Sequence, residues 1–121
     1  MVKVNLRIAP PHSILFLSGP KGGVAAEFED RLFLFSPTCI SFRCLMEHDG
    51  ETDVTIGDSS EIEQITVPNF DEILRTPDKV VMLSMVAWKS LTKIAVETKQ
   101  TRVRIWVNHP IEPDQVVIAL N

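Results

Sequence analysis

The sequence contains no tyrosine, only two cysteines and no long apolar run. Each absence excludes something. A helix that crosses a membrane needs about 20 mostly apolar residues, and no window approaches that length. Two cysteines cannot build the disulfide framework that small secreted domains use to supplement a core. Cys39 and Cys44 lie in a stretch with strand character, so their Cα atoms would be about 16 Å apart, whereas a disulfide needs roughly 4.4–6.8 Å. Both read as reduced, core-facing thiols. His12, His48 and His109 stand apart from one another and from the cysteines. No zinc-ligand spacing emerges, and neither a metal nor a cofactor is expected. Basic residues are also scarce: 12 against 16 acids, for a net charge of −4. That is the wrong sign for a protein that binds nucleic acid by releasing counterions. Without tyrosine, stacking platforms are few as well, so direct nucleic-acid binding is not expected.

What remains is a chain of 121 residues, 45% hydrophobic, with mean hydropathy +0.11. These values describe one folded, β-rich domain over residues 1–121, because the apolar content suffices for a core and the net charge is too low for disorder. Residues 1–9 alternate polar with apolar, unlike the continuous apolar segment of a signal peptide, so a cytoplasmic location is expected.

Val2, Val4, Leu6 and Ile8 alternate with Lys3, Asn5 and Arg7, the period-two pattern of a half-buried strand. Ile14 to Leu17 forms a short apolar run, followed by the glycine-rich stretch Ser18 to Gly23. Residues 24–31 fit a loop or a single helical turn. Leu32 to Phe35 and Cys39 to Met46 read as strands, with Asp49-Gly50 as a two-residue hairpin turn leading into a return strand from Asp53 to Ile56. Another strand is expected over Glu61 to Val67, closed by Pro68. Residues 77–98 admit two readings. Thr76-Pro77-Asp78 resembles a helix start, whereas Val80 to Val86 and 92–98 are rich in β-branched and apolar residues. Two strands joined near Trp88-Lys89-Ser90 are favoured, with an α+β fold containing a helix in 77–98 as the alternative. Val103, Ile105 and Val107 alternate with charged residues, and Val116 to Leu120 is a last strand. Short strands at intervals of about ten residues predict an all-β fold, a β-sandwich of short antiparallel strands.

Three patterns bear on function. The first is Ser18-Gly19-Pro20-Lys21-Gly22-Gly23, where glycines and a lysine follow a strand. A phosphate-binding P-loop requires a Gly-Lys-Ser/Thr at the helix start, yet Gly23 is followed by Val24-Ala25-Ala26-Glu27. A surface loop is the favoured reading. The second is acidic. Glu47, Asp49, Glu51, Asp53, Asp58, Glu61 and Glu63 occupy 17 residues without a lysine or arginine, seven of the 16 acids in the chain. Residues 89–104 carry the reverse balance, with Lys89, Lys93, Lys99, Arg102 and Arg104 against Glu97. Like charges two apart on a strand crowd one face. The cluster could be a solvated hairpin that blocks wrong strand pairing, a surface for a basic partner, or a cation site. It lacks the residue order of an EF-hand loop. The third pattern is a histidine beside acids: His48 in the acidic segment, and His109 near Glu112 and Asp114. Such pairs suit general-base chemistry, but no nucleophile motif accompanies them and no catalytic residue is assigned.

Phe33-Leu34-Phe35-Ser36-Pro37-Thr38-Cys39-Ile40-Ser41-Phe42, followed by Asp49-Gly50-Glu51-Thr52-Asp53-Val54-Thr55-Ile56, resembles the competence protein J family. Ile65-Thr66-Val67-Pro68 and Val80-Val81-Met82-Leu83-Ser84-Met85 fall where later strands of that family would lie. The resemblance implies an inhibitor of a DNA-entry nuclease, with an acidic surface filling a basic DNA-binding cleft. The favoured function is thus a small acidic interaction module with a basic protein partner, a nuclease in the family's case. The alternatives are a small-molecule-binding or hydrolytic β-domain using His109, Glu112 and Asp114, and a homo-oligomer that pairs through an exposed strand.

Overall fold

The computed structural model describes residues 2–27, 29–64 and 66–121. Met1, Phe28 and Ile65 lie outside the described residues, and with them parts of the expected strand over 1–9, the single turn over 24–31 and the strand over 61–67.

Among the described residues ten strands form two five-stranded sheets, and the fold is all-β. The strands are β1 (Lys3–Ile8), β2 (Ile14–Ser18), β3 (Phe33–Ser36), β4 (Cys39–Arg43), β5 (Thr52–Asp58), β6 (Phe70–Arg75), β7 (Val80–Met85), β8 (Lys89–Ala95), β9 (Gln100–Val107) and β10 (Gln115–Leu120). The first sheet has the order β1-β5-β10-β9-β6 and the second β3-β4-β2-β7-β8. All neighbours run antiparallel except β5 and β10, a parallel pair at the middle of the first sheet.

Alternation places the core. Val54 and Ile56 of β5, Val103 and Ile105 of β9, and Val116, Ile118 and Leu120 of β10 are buried in one cluster with Leu15, Leu17, Ile40, Phe42, Val81 and Leu83 of the second sheet. A single apolar layer thus holds both sheets. Each fully buried Leu or Ile contributes about 1.5–3 kcal/mol relative to exposure.

Residues 77–98 resolve into β7 and β8, joined at Val86–Trp88, as the favoured reading expected. The helix-start signal at Thr76-Pro77-Asp78 is instead a tight turn. Lys79 N donates to Thr76 O at 2.9 Å, with proline at the position where such turns prefer it.

Two expectations fail. The Asp49-Gly50 turn does not join paired strands, because β4 belongs to the second sheet and β5 to the first. Glu47–Asp49 is a short 3-10 turn on a crossover. The strand expected from Glu61 to Val67 does not form among its described residues. Asp58 caps a 3-10 turn over Ser59–Glu61 by accepting from Ser60 N at 3.0 Å, and the following chain is irregular. Its course follows from sheet order: β5 and β6 are separated by β10 and β9, and residues 60–64 lie against Lys3, Thr55 and Val117 on the outer face of the first sheet. Trp106 Nε1 donates to Thr66 O at 2.9 Å and holds that segment down. β6 itself, an edge strand, was not expected from the sequence.

Candidate functional site

Strand direction sorts the loops into two ends. β1 stops at Ile8 opposite Thr52, where β5 starts, and β9 stops at Val107 opposite Val116. Loops 9–13, 44–51 and 108–114 therefore gather at one end. Hydrogen bonds tie them together: Cys44 N to Ser13 O at 3.0 Å, Leu45 N to Pro113 O at 2.8 Å and Asp53 N to Asp114 O at 2.8 Å. Glu47, Asp49 and Glu51 project from this end, all exposed, and Glu112 and Asp114 join them from the β9–β10 loop. None of those five takes part in an ion pair among the described residues.

Asp53 differs from its neighbours. It faces Arg7 across the β1–β5 ladder at 3.7 Å and accepts from Asn5 Nδ2 at 2.8 Å. Asp58 lies at the opposite end of β5, about 17 Å away at strand rise. There Ser60 donates to it from both backbone and hydroxyl, which holds its carboxyl below the usual range. Glu61 and Glu63 follow on the segment that crosses the first sheet, beside a cleft that also contains Lys3 and Thr55. The seven acids thus divide into Glu47, Asp49, Glu51 and Asp53 at one end and Asp58, Glu61 and Glu63 toward the other. Arg102 and Arg104 neutralise none of them. Arg102 makes a two-pronged pair with Asp71, at 2.9 and 2.6 Å, and Arg104 lies over the Trp106 ring at 5.7 Å.

His109 is committed locally. Its Nδ1 accepts from the backbone N–H groups of Ile111 and Glu112 at 3.1 and 2.9 Å, which fixes the ring in the turn. Asp114 is likewise engaged, accepting from Asn108 Nδ2 at 2.6 Å. No group of three or more His, Cys, Asp or Glu among the described residues is placed to hold a metal ion. Cys39 and Cys44 are free and buried, and burial pushes both thiols up to about 11. No helix among the described residues is long and apolar enough to cross a membrane.

No protein-family model matches the sequence, and no curated protein matches it. Shape is more informative. The chain has the fold of ComJ. The crystal structure of ComJ, inhibitor of the DNA degrading activity of NucA, from Bacillus subtilis, superposes with a TM-score of 0.69 at 8% identity, covering 97% of this chain and 93% of that one. Crocagin biosynthetic gene J superposes with a TM-score of 0.52 at 11% identity, covering 99% and 97%. The resemblance to the competence protein J family therefore holds across the whole fold, while few side chains are shared. At 8% identity no residue role carries over from ComJ by position, and the site rests on this chain's own residues.

Proposed function

We propose that this chain, as one β-rich domain over residues 1–121, is a protein-binding module of the inhibitor kind, and that its carboxylate-rich end enters the basic cleft of a nuclease. The observation that carries the reading is the state of Glu47, Asp49 and Glu51: exposed, on loops at one end, and without a cation of the chain's own among the described residues. Side chains that do nothing for the fold are free to act on a partner. A cleft built for DNA presents lysine and arginine at phosphate spacing, and several fixed carboxylates compete for those cations while steering the approach. Asp53 forms the inner edge of this surface. Asp58, Glu61 and Glu63 are a second contact, reached by a partner that extends along β5. ComJ, with the same fold, is an inhibitor of a DNA degrading activity, and that supports the same class of partner here.

The test starts with the tagged chain and lysate of its source at low and high salt. The reading expects a nuclease whose capture weakens as salt rises and whose DNA degradation falls when the chain is added. The Glu47→Lys, Asp49→Lys, Glu51→Lys variant should lose both effects. Capture of a nuclease that this variant retains in full would refute the assignment of the surface.

A further inference from the structure

The glycine-rich turn after β2 lacks P-loop spacing, but the fold brings to it what the linear motif is missing. The chain reverses directly after Ser18: Gly22 N donates to Gly19 O at 3.0 Å. Gly22 has φ +81°, and a Cβ there would lie 3.0 Å from the Trp88 ring. A Cβ on Gly23 would collide with the Thr38 carbonyl. The fold itself requires glycine at those two positions. It does not require glycine at 19, where the backbone is not left-handed and a Cβ would meet no atom within 4 Å.

That uncovered backbone forms one wall of an open cleft of about 340 Å³, shared with Lys21, Thr38, Arg75 and Asp78. Arg75 arrives from the other sheet. Its backbone N donates to Pro37 O at 2.8 Å, which seats the end of β6 against the β3–β4 turn. Lys21 and Arg75 are both exposed, and neither is in an ion pair among the described residues. Two cations against the single carboxylate of Asp78 leave the cleft one positive charge in excess. Unpaired cations converging from two sheets on a bare stretch of backbone have no role in holding the fold.

We propose that this cleft binds a small phosphate-bearing anion, with the Arg75 guanidinium and the Lys21 ammonium on the phosphate and the Gly19 backbone left bare to admit it. A guanidinium grips a phosphate through two parallel N–H donors, and lysine adds a point charge. Asp78 repels the phosphate but accepts from a hydroxyl or amino group, so a phosphate ester carrying such a group should bind more tightly than the bare ion. The site is independent of the carboxylate-rich end.

Calorimetric titration with inorganic phosphate, pyrophosphate and adenosine triphosphate, without magnesium, tests this and separates the free ion from the organic ester. Binding of at least one at submillimolar concentration is expected, with amide shifts at Gly19 and Gly22 by NMR. Arg75→Gln and Lys21→Gln should each weaken it about tenfold. Gly19→Ala should weaken it without lowering Tm, while Lys89→Gln, a change outside the cleft, should leave it intact. No binding of any probe below about 1 mM would overturn the proposal. So would binding that survives the Lys21→Gln, Arg75→Gln double variant, or that Lys89→Gln reduces equally.

Discussion

The two ends of the molecule use charge differently. At the end where β5 begins, Glu47, Asp49, Glu51, Glu112 and Asp114 form no ion pair among the described residues; Asp53 is drawn into the fold by Arg7 and Asn5, and Asp114 by Asn108. Toward the other end, Asp58 caps a turn, Asp71 is gripped by Arg102, and the hydroxyls of Thr76 and Thr101 meet at 2.9 Å inside the protein. There polar groups serve structure. Self-repulsion among unpaired acids costs stability, so a surface that keeps them is better explained by a partner than by folding.

The largest effect should come from reversing those idle charges. Glu47→Lys, Asp49→Lys, Glu51→Lys should weaken nuclease binding about a hundredfold at low salt, since close charge pairs across an interface couple by about 1.5–7 kcal/mol. Asp58→Lys, Glu61→Lys, Glu63→Lys should weaken it less than about tenfold. Dissociation constants of the two triple variants, measured at two salt concentrations, check the ranking. An equal loss in both would erase the distinction between the ends.

Stability should rank the other way. Thr76 donates to Thr98 O at 2.9 Å and shares a hydrogen bond with the Thr101 hydroxyl. Thr76→Val takes the donor from the Thr98 carbonyl and the acceptor from the buried Thr101 hydroxyl, and should cost about 1–3 kcal/mol. Glu47→Gln, Asp49→Gln or Glu51→Gln should each stay within about 0.5 kcal/mol of the parent. Urea denaturation of the four variants decides this, and a Thr76→Val protein as stable as the parent would contradict it.

Acid should reveal the same asymmetry. Hydrogen bonds from Arg102 hold the Asp71 carboxyl below its ordinary range, and Ser60 does so for Asp58. A carboxyl with a lowered folded pKa contributes stability that is fully present above its unfolded value, about 3.9, and is lost as pH falls through the folded value. Tm should therefore hold from neutral pH to about 5 and drop below about 4, with less of a drop in Asp71→Asn. High salt should blunt the difference, because both groups are exposed. An acid limb that Asp71→Asn leaves unchanged would remove the pair from the account.

Clean alternation made β1 and β9 legible from the residues alone, and short runs of apolar and β-branched residues did the same for β7, β8 and β10. β6 was not legible, because Asp71 and Glu72 are poor strand formers and they blur the alternation: Glu72 shares the inward face of Phe70 and Leu74, while Ile73, 48% exposed, shares the outer face with Asp71 and Arg75. Edge strands tolerate such residues because charge there discourages further pairing. Asp49-Gly50 shows a different limit. A turn signal reports that the chain bends and is silent about which strand it meets next. Here the loop is set by Leu45 and Asp53 bonding to Pro113 and Asp114, contacts more than 60 residues away in sequence. The same limit split the seven acids, whose spacing was visible but whose division between two ends depends on β5 being extended. Arg75 escaped notice beside the glycine turn because it comes from the other sheet.

The smallest expected effect lies in the β7–β8 turn, whose Trp88 ring packs on Phe16 at 5.6 Å between centroids and lies against Gly22. Ala87 and Trp88 both adopt left-handed backbone, at φ 64° and 56°, a conformation that costs a residue with a Cβ about 1–2 kcal/mol. Ala87→Gly removes that cost at one position but loosens the unfolded chain by about 0.4–1 kcal/mol. The balance should be a gain of between about 0 and 1.6 kcal/mol. Trp88→Ala keeps the strained backbone and loses the ring, so it should lower stability and loosen the glycine turn beneath it. Hydrogen exchange at Gly22 separates the two: slow in Ala87→Gly, faster in Trp88→Ala. If both variants exchange alike there, the ring does not brace the glycine turn.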